Sequence, residues 1–332
     1  MSSPHPFDPI SDEEISLTSK LVKDHHTGSE KPHFVQIDRV DPPKKDMLRY
    51  LEATRSKTPS STKKPLGISR ICYAYYYVGD IFYKALVNTS YRHLITSQKQ
   101  TADVEGPLLG EDVALIEKLS TSHPICAAEI AKLKLPSHIH VVCDPWIYGT
   151  DDNKETRLLA QCYMYLANAN HPESNHYSLP LKFSPVFNIR TKEFVRIDYL
   201  PAGVDETVMD TKPWYDFALV EYHPDLNREG LRPLKPLIVE QPEGAGFEIN
   251  GSKIEWQGWE FYVVPLTREG YAIYDVHFKG RSILYRLSLS EMTVPYGDPR
   301  GPYHRKQAFD LGDCGFGANG NSLVGYQYSL FA

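Results

Sequence analysis

The dipeptide Asn250-Gly251, set inside Phe247-Glu-Ile-Asn-Gly-Ser-Lys-Ile254, constrains the fold of this chain more than any other feature. Asn-Gly favours the positive φ angles of a type I′ turn, and a two-residue turn fixes the register of the strands on either side. Strand-like runs follow at residues 256–264, 271–278 and 283–292, separated by Arg268-Glu269-Gly270 and Lys279-Gly280-Arg281. In the last run Ile283, Tyr285, Leu287 and Leu289 alternate with Leu284, Arg286, Ser288 and Ser290. Period-two alternation between turn signals predicts an antiparallel meander, the beginning of a sandwich-like domain.

The residues before it carry a different texture. Ser11 followed by Glu14 is a capping-box signal and predicts a helix over residues 12–22. A strand over 33–40, a helix over 44–55 and a hairpin of 68–78 with 81–89 about Gly79-Asp80 come next. After a linker at about 96–110 the plan repeats, with a helix from Gly110 broken by Pro124, then strands at 138–142, 158–165, 179–187 and 194–200. The class is therefore α+β: a first small domain over 1–97, a second over 98–208, a Pro/Asp/Lys-rich linker over 209–235 and the β-rich segment 236–332.

Composition excludes several function classes. Lys+Arg 36 against Asp+Glu 42 gives a net charge of −6, without the basic footprint of a nucleic-acid or membrane-surface protein. No apolar run is long enough to span a bilayer, and the opening MSSPHPFDPISDEE lacks the pattern of a secretory signal, so an intracellular address is expected. Five scattered cysteines without C-x-x-C argue against a zinc ribbon or a disulfide framework; Cys143 and Cys162, on successive strands, could pair under oxidising conditions.

Among chemical candidates, Gly315-x-Gly317-x-x-Gly320 matches a dinucleotide fingerprint but has no helix or acidic residue after it to complete the mechanism. His138-x-His140 has metal-ligand spacing on one strand face, with no third ligand in evidence among His123, His171 and His176; adjacent His25-His26 point in different directions and read as helix-end cations. Asp310 and Asp313 stand beside glycines and an aromatic, where a carboxylate can be tuned for proton abstraction, and Tyr296 is offered on a turn between Pro295 and Gly297. Without further context, turn-forming Asp and Gly is the simpler account of these residues.

The residues Leu287-Ser-Leu-Ser-Glu-Met-Thr-Val-Pro-Tyr-Gly-Asp-Pro-Arg300, followed by Arg305-Lys-Gln-Ala-Phe-Asp-Leu-Gly-Asp-Cys-Gly-Phe-Gly317, resemble the start of the catalytic domain of copper-containing, quinone-dependent amine oxidases. Val142-Cys-Asp-Pro-Trp146, Asn175-His-Tyr177 with Pro180, Arg196-Ile-Asp198, Leu234-Lys-Pro-Leu237 and Gln241-Pro-Glu-Gly244 extend the resemblance over nearly the whole chain, in the fungal, peroxisomal type. It implies two cystatin-like α+β domains before a partial β-sandwich. It also implies conversion of a primary amine and O₂ to aldehyde, ammonia and hydrogen peroxide with copper and topaquinone as cofactors, usually in a homodimer. On the motif match, Asp310 corresponds to the aspartate that accepts the α-proton, Tyr296 to the tyrosine that hydrogen-bonds the quinone, and Asp313 to a supporting residue.

The chain departs from that pattern in one respect. The family makes its quinone from a tyrosine in Asn-Tyr-Asp/Glu-Tyr and binds copper through His-x-His plus a distant histidine, all downstream of these motifs; this sequence has no Asn-Tyr pair, and His138-x-His140 lies far upstream. The chain is expected to be an N-terminal portion with a truncated catalytic domain, binding neither copper nor quinone on its own. The main rival is a non-catalytic fragment that pairs with a full-length oxidase; a nicotinamide-dependent enzyme is a distant third. A cytoplasmic or peroxisomal location is expected, although Ser329-Leu-Phe-Ala332 is not a peroxisomal signal.

Overall fold

The computed structural model describes residues 4–55, 67–101, 104–106, 108–149, 157–200, 219–227, 235, 238, 240–290 and 292–308. The chain divides into two compact units: Met1–Pro107 with Gln241–Met292 and Asp310–Ala332, and Leu108–Glu240 with Thr293–Phe309. The class is α+β, with helices set against antiparallel sheets. Most of the linker expected over 209–235, together with Asp310, Asp313, Cys314 and the glycine motif, falls outside the described residues.

In the first unit, α1 (Asp12–His25) begins at the expected capping box: Ser11 Oγ accepts from Glu14 N, and the Glu14 carboxylate accepts from Ser11 N at 3.1 Å. Then come β1 (His33–Arg39), α2 (Lys44–Arg55), β2 (Ile71–Val78), β3 (Ile81–Asn88) and β4 (His93–Lys99), with the strands forming a sheet in sequence order. The edge strand β4 occupies what reads in sequence as the start of a linker; its polar run HLITSQK has little apolar alternation because most of its side chains are not buried. Strand alternation sends Ala74 and Tyr76 of β2 to one face, where they pack with Ala85, Val87 and Val22 of α1. The buried Tyr76 hydroxyl is partnered by Ser97 Oγ at 2.7 Å and His26 Nε2 at 3.0 Å, which gives His26 a structural part as a hydrogen-bond partner.

In the second unit, α3 (Gly110–Ser122) and α4 (Pro124–Lys132) are separated at Pro124, which opens α4 where its missing N–H costs nothing. The strands β5 (Ile139–Ile147), β6 (Leu159–Asn168), β7 (Phe183–Asn188) and β8 (Phe194–Tyr199) pair in order, all antiparallel. Nine consecutive residues of β6, from Leu159 to Ala167, are buried, so both faces of this strand are covered. Cys143 and Cys162 remain free thiols; burial, followed by the neighbouring Cys143, holds the Cys162 thiol well above its usual range.

Returning to the first unit, β9 (Glu248–Asn250), β10 (Lys253–Trp256), β11 (Trp259–Leu266), β12 (Gly270–Phe278) and β13 (Arg281–Leu287) form the expected meander. Its first turn differs in type: Asn250 pairs with Lys253, so the two-residue loop is Gly251-Ser252, with positive φ at Gly251 (59°) and not at Asn250. A positive φ at the first loop position only is the type II′ pattern. The type I′ pattern occurs instead at Gln257-Gly258 (48°, 86°) and Lys279-Gly280 (49°, 78°). Val264, Ala272 and Tyr274 of the meander share a core with Phe7, Met47 and Leu51. The Tyr274 hydroxyl donates to Asp41 at 2.9 Å, and Arg286 Nε reaches the same carboxylate at 2.8 Å.

In the second unit, β14 (Val294–Pro295) and β15 (Gln307–Ala308) close a short hairpin, with Val294 opposite Ala308 and Pro295 opposite Gln307.

Candidate active site

The β14–β15 hairpin joins the two halves of the motif that carries the resemblance. Tyr296 follows β14, and its backbone N–H donates to the Lys306 carbonyl at 3.2 Å, extending the ladder by one bond. Gly297 then turns the chain with φ of 76°, a conformation that an L side chain resists. Arg300 folds back on Asp298, donating at 2.9 Å from Nε and 2.6 Å from Nη2, and these bonds bring the Asp298 carboxyl down to about 2.

The hairpin is held by aromatic rings and one cation. The Lys306 ammonium lies 4.3 Å from the Tyr163 ring centroid, 4.7 Å from Tyr296 and 4.9 Å from Trp146. Trp146 meets Tyr296 edge-on at 5.5 Å and Tyr163 at 5.7 Å. Burial lowers the Lys306 pKa below its ordinary value, and the Asp144 carboxylate works in the opposite direction. Two of these rings belong to a buried cluster, in which Tyr163, Tyr165 and Leu200 have Val142, Trp146 and Tyr303 packed on them. Burial holds the Tyr163 and Tyr165 phenols far above their usual range, so both remain neutral hydrogen-bonding groups.

Tyr296 itself is 54% exposed, with its ring in a T-shaped contact with Trp146 and one face toward Lys306. Its phenol is thus positioned by packing yet open to a neighbouring group. Asp310 and Asp313 lie outside the described residues. Lys306 and Tyr163 escaped sequence reasoning as site residues, Lys306 because it reads as one member of a basic run, Tyr163 because it is one aromatic in a buried strand. The closeness of Trp146 to Tyr296 is a tertiary fact with no local signal.

The copper and quinone pattern finds no fit here. His138 and His140 are both exposed at the start of β5, and among the described residues the sole group of three potential metal-binding side chains is His171, His223 and Asp225. Among the described residues His-x-His with a third histidine is not assembled, and Asn-Tyr is absent from the sequence.

Comparison with known proteins places this hairpin in its family context. The family described as "Copper amine oxidase, enzyme domain" matches residues 248–327. A copper-containing benzylamine oxidase from Hansenula polymorpha is similar over 97% of this chain and 50% of its own, with 68% identity and a TM-score of 0.89. The chain belongs to the copper amine oxidase family. Copper amine oxidase 1 of Aspergillus niger is 36% identical over 96% of this chain and 50% of its own length. A peroxisomal primary amine oxidase of Pichia angusta is 32% identical over 66% of this chain and 32% of its own. The chain thus spans about half the length of the copper amine oxidases that it matches over most of its residues. Copper and topaquinone are the cofactors of the family.

Proposed function

We propose that this chain supplies part of the amine-side face of a primary-amine oxidase, with Tyr296 donating a hydrogen bond to the quinone oxygen and Asp310 accepting the α-proton of the substrate. The quinone, when present, makes that proton acidic enough for a carboxylate base to remove. The observation that carries the reading is the β14–β15 hairpin, which presents the Tyr296 phenol against Trp146 and Lys306. Trp146 limits where the phenol can point, and the Lys306 ammonium over the ring face helps to hold the ring in place.

By itself the 332-residue chain has neither the tyrosine motif nor the copper histidines that the family uses. It is therefore inactive alone: metal analysis for the family's copper centre, phenylhydrazine titration and an amine-dependent peroxide assay should all be negative. Homodimer assembly and a peroxisomal address belong to the same proposal, the latter supported by the peroxisomal relative from Pichia angusta.

The decisive experiment is a chimera in which this chain replaces the corresponding half of the Hansenula polymorpha benzylamine oxidase. Primary-amine oxidation is expected. Asp310→Asn should lower kcat by about 10²–10⁴, the range of a general base, and Tyr296→Phe should cost less. A chimera that forms its quinone and is unaffected by Asp310→Asn would refute the assignment.

A further inference from the structure

Two segments distant in sequence meet in the second unit. The loop after β6 carries His171, and the segment 219–227 carries His223 and Asp225. They are joined by side-chain and backbone hydrogen bonds: Ser174 Oγ donates to Glu221 Oε1 at 2.7 Å, Asn175 N to Glu221 Oε2 at 2.8 Å, Asn175 Nδ2 to the Val220 carbonyl at 2.7 Å, and Val220 N to Ser178 Oγ at 3.3 Å. This seam brings the His171 and His223 ring centroids to 4.5 Å. The Asp225 Oδ2 atom stands 3.8 Å from His171 Nε2 and 3.8 Å from His223 Nδ1, and one ligand atom from each of the three residues lies within 4.8 Å of the others.

From this convergence we propose that His171, His223 and Asp225 form a binding site for one imidazole-preferring divalent transition-metal ion of the Zn²⁺ class. Bond lengths of roughly 2.0–2.1 Å in a tetrahedral site put neighbouring ligand atoms about 3.3 Å apart. Each Asp225–imidazole separation needs to contract by about 0.5 Å to reach that spacing, which Asp225, with a side chain 68% exposed, can supply, and the two imidazole nitrogens, within 4.8 Å of one another, need to close by up to about 1.5 Å. Two imidazoles and one carboxylate leave a fourth position for water, and the exposed carboxylate gives the ion a way in.

The ring nitrogens bear on the ligand atoms. His223 Nδ1 accepts the Asp225 backbone N–H at 3.2 Å, so its lone pair already points outward from that nitrogen and an ion can take the place of the hydrogen bond. His171 Nδ1 accepts the Glu173 N–H at 3.1 Å; ligation through Nε2 requires the ring proton to move to Nδ1, releasing an exposed amide that water can satisfy. Both exchanges moderate the affinity. Among divalent ions, Cu²⁺ should bind more tightly than Co²⁺, so the expectation that the chain takes up no copper is limited to the family's His-x-His pattern, to which this trio is unrelated. The site would clip the 219–227 segment to the loop after β6.

The test is a titration of the EDTA-stripped chain with Co²⁺, read by the visible bands of a tetrahedral ion, and with Zn²⁺ by calorimetry. About one equivalent of each should bind, with affinity lowered roughly 10- to 100-fold or more in His171→Ala and in His223→Ala, since a direct ligand matters at least as much as an outer partner. A His138→Ala/His140→Ala variant should bind as the parent does. Absence of the Co²⁺ bands in the parent, unchanged uptake in a His171→Ala/His223→Ala double variant that keeps the parental circular dichroism, or loss in the His138/His140 variant would each overturn the site.

Discussion

The sheets β1–β4 and β5–β8 follow one plan, helix first and four antiparallel strands in order, yet what is fastened to each of them differs. The first is organised at its rim by a largely buried ion pair. Arg70 places Nε 2.8 Å from Glu14 Oε1 and Nη2 2.6 Å from Oε2, and donates as well to the carbonyls of Pro6, Asp8 and Pro9 at 3.3, 2.8 and 2.9 Å. The second has a central strand buried on both faces and an aromatic cluster on which the Tyr296 hairpin rests. A charged clamp fixes a direction and a distance, whereas an aromatic layer tolerates adjustment and offers rings to a cation or a ligand. Both sheets carry packed aromatic rings, and the one whose rings receive Lys306 and the Tyr296 hairpin carries the candidate active site.

Substitution can break this contrast. Arg70→Ala should be the most damaging, at about 3–5 kcal/mol, because it strands the Glu14 carboxylate and three carbonyls in a buried place; urea unfolding followed by circular dichroism measures it. Leu166→Ala on β6, where the side chain has 0% exposure, should cost about 3 kcal/mol through lost burial and a cavity, with the loss confined to the second unit in a probe such as Trp146 fluorescence. Equal losses of stability in both units for either variant would erase the distinction.

A weaker effect separates the sheets by pH. Burial alone would raise the Glu14 carboxyl, but hydrogen bonds from Arg70 and Ser11, the Arg70 charge and a bond from Thr89 bring it below its ordinary value. A group with a depressed folded pKa contributes stability above its unfolded pKa and loses it as the pH falls through the folded one. The first unit should therefore weaken on acidification below about pH 4.5, near the free carboxylate value, and Glu14→Gln should flatten that slope. Thermal melts from pH 6 to 3, at roughly unit intervals across that value, would read both.

Local signals account for what was legible in the sequence. The capping box at Ser11 and Glu14 gave the start of α1, and alternation with Gly-marked turns gave the meander. The edge strand β4 was hidden because none of its residues is fully buried, and the Asn250 turn differed because the loop is Gly251-Ser252. At the candidate site, Tyr296 was legible through the family motif. The Lys306, Trp146 and Tyr163 grouping and the His171, His223 and Asp225 trio depend on contacts between residues far apart in the chain, to which no periodicity points.

Glu14 is also a kinetic element. Its carboxylate closes the capping box of α1 and, through Arg70 and Thr89, grips the ends of β2 and β3. A helix end is ordinarily where exchange with solvent deuterium begins, since fraying there breaks few bonds. Here fraying would release the arginine and open the sheet margin as well, so the first turn of α1 should exchange on the slow clock of the unit around it.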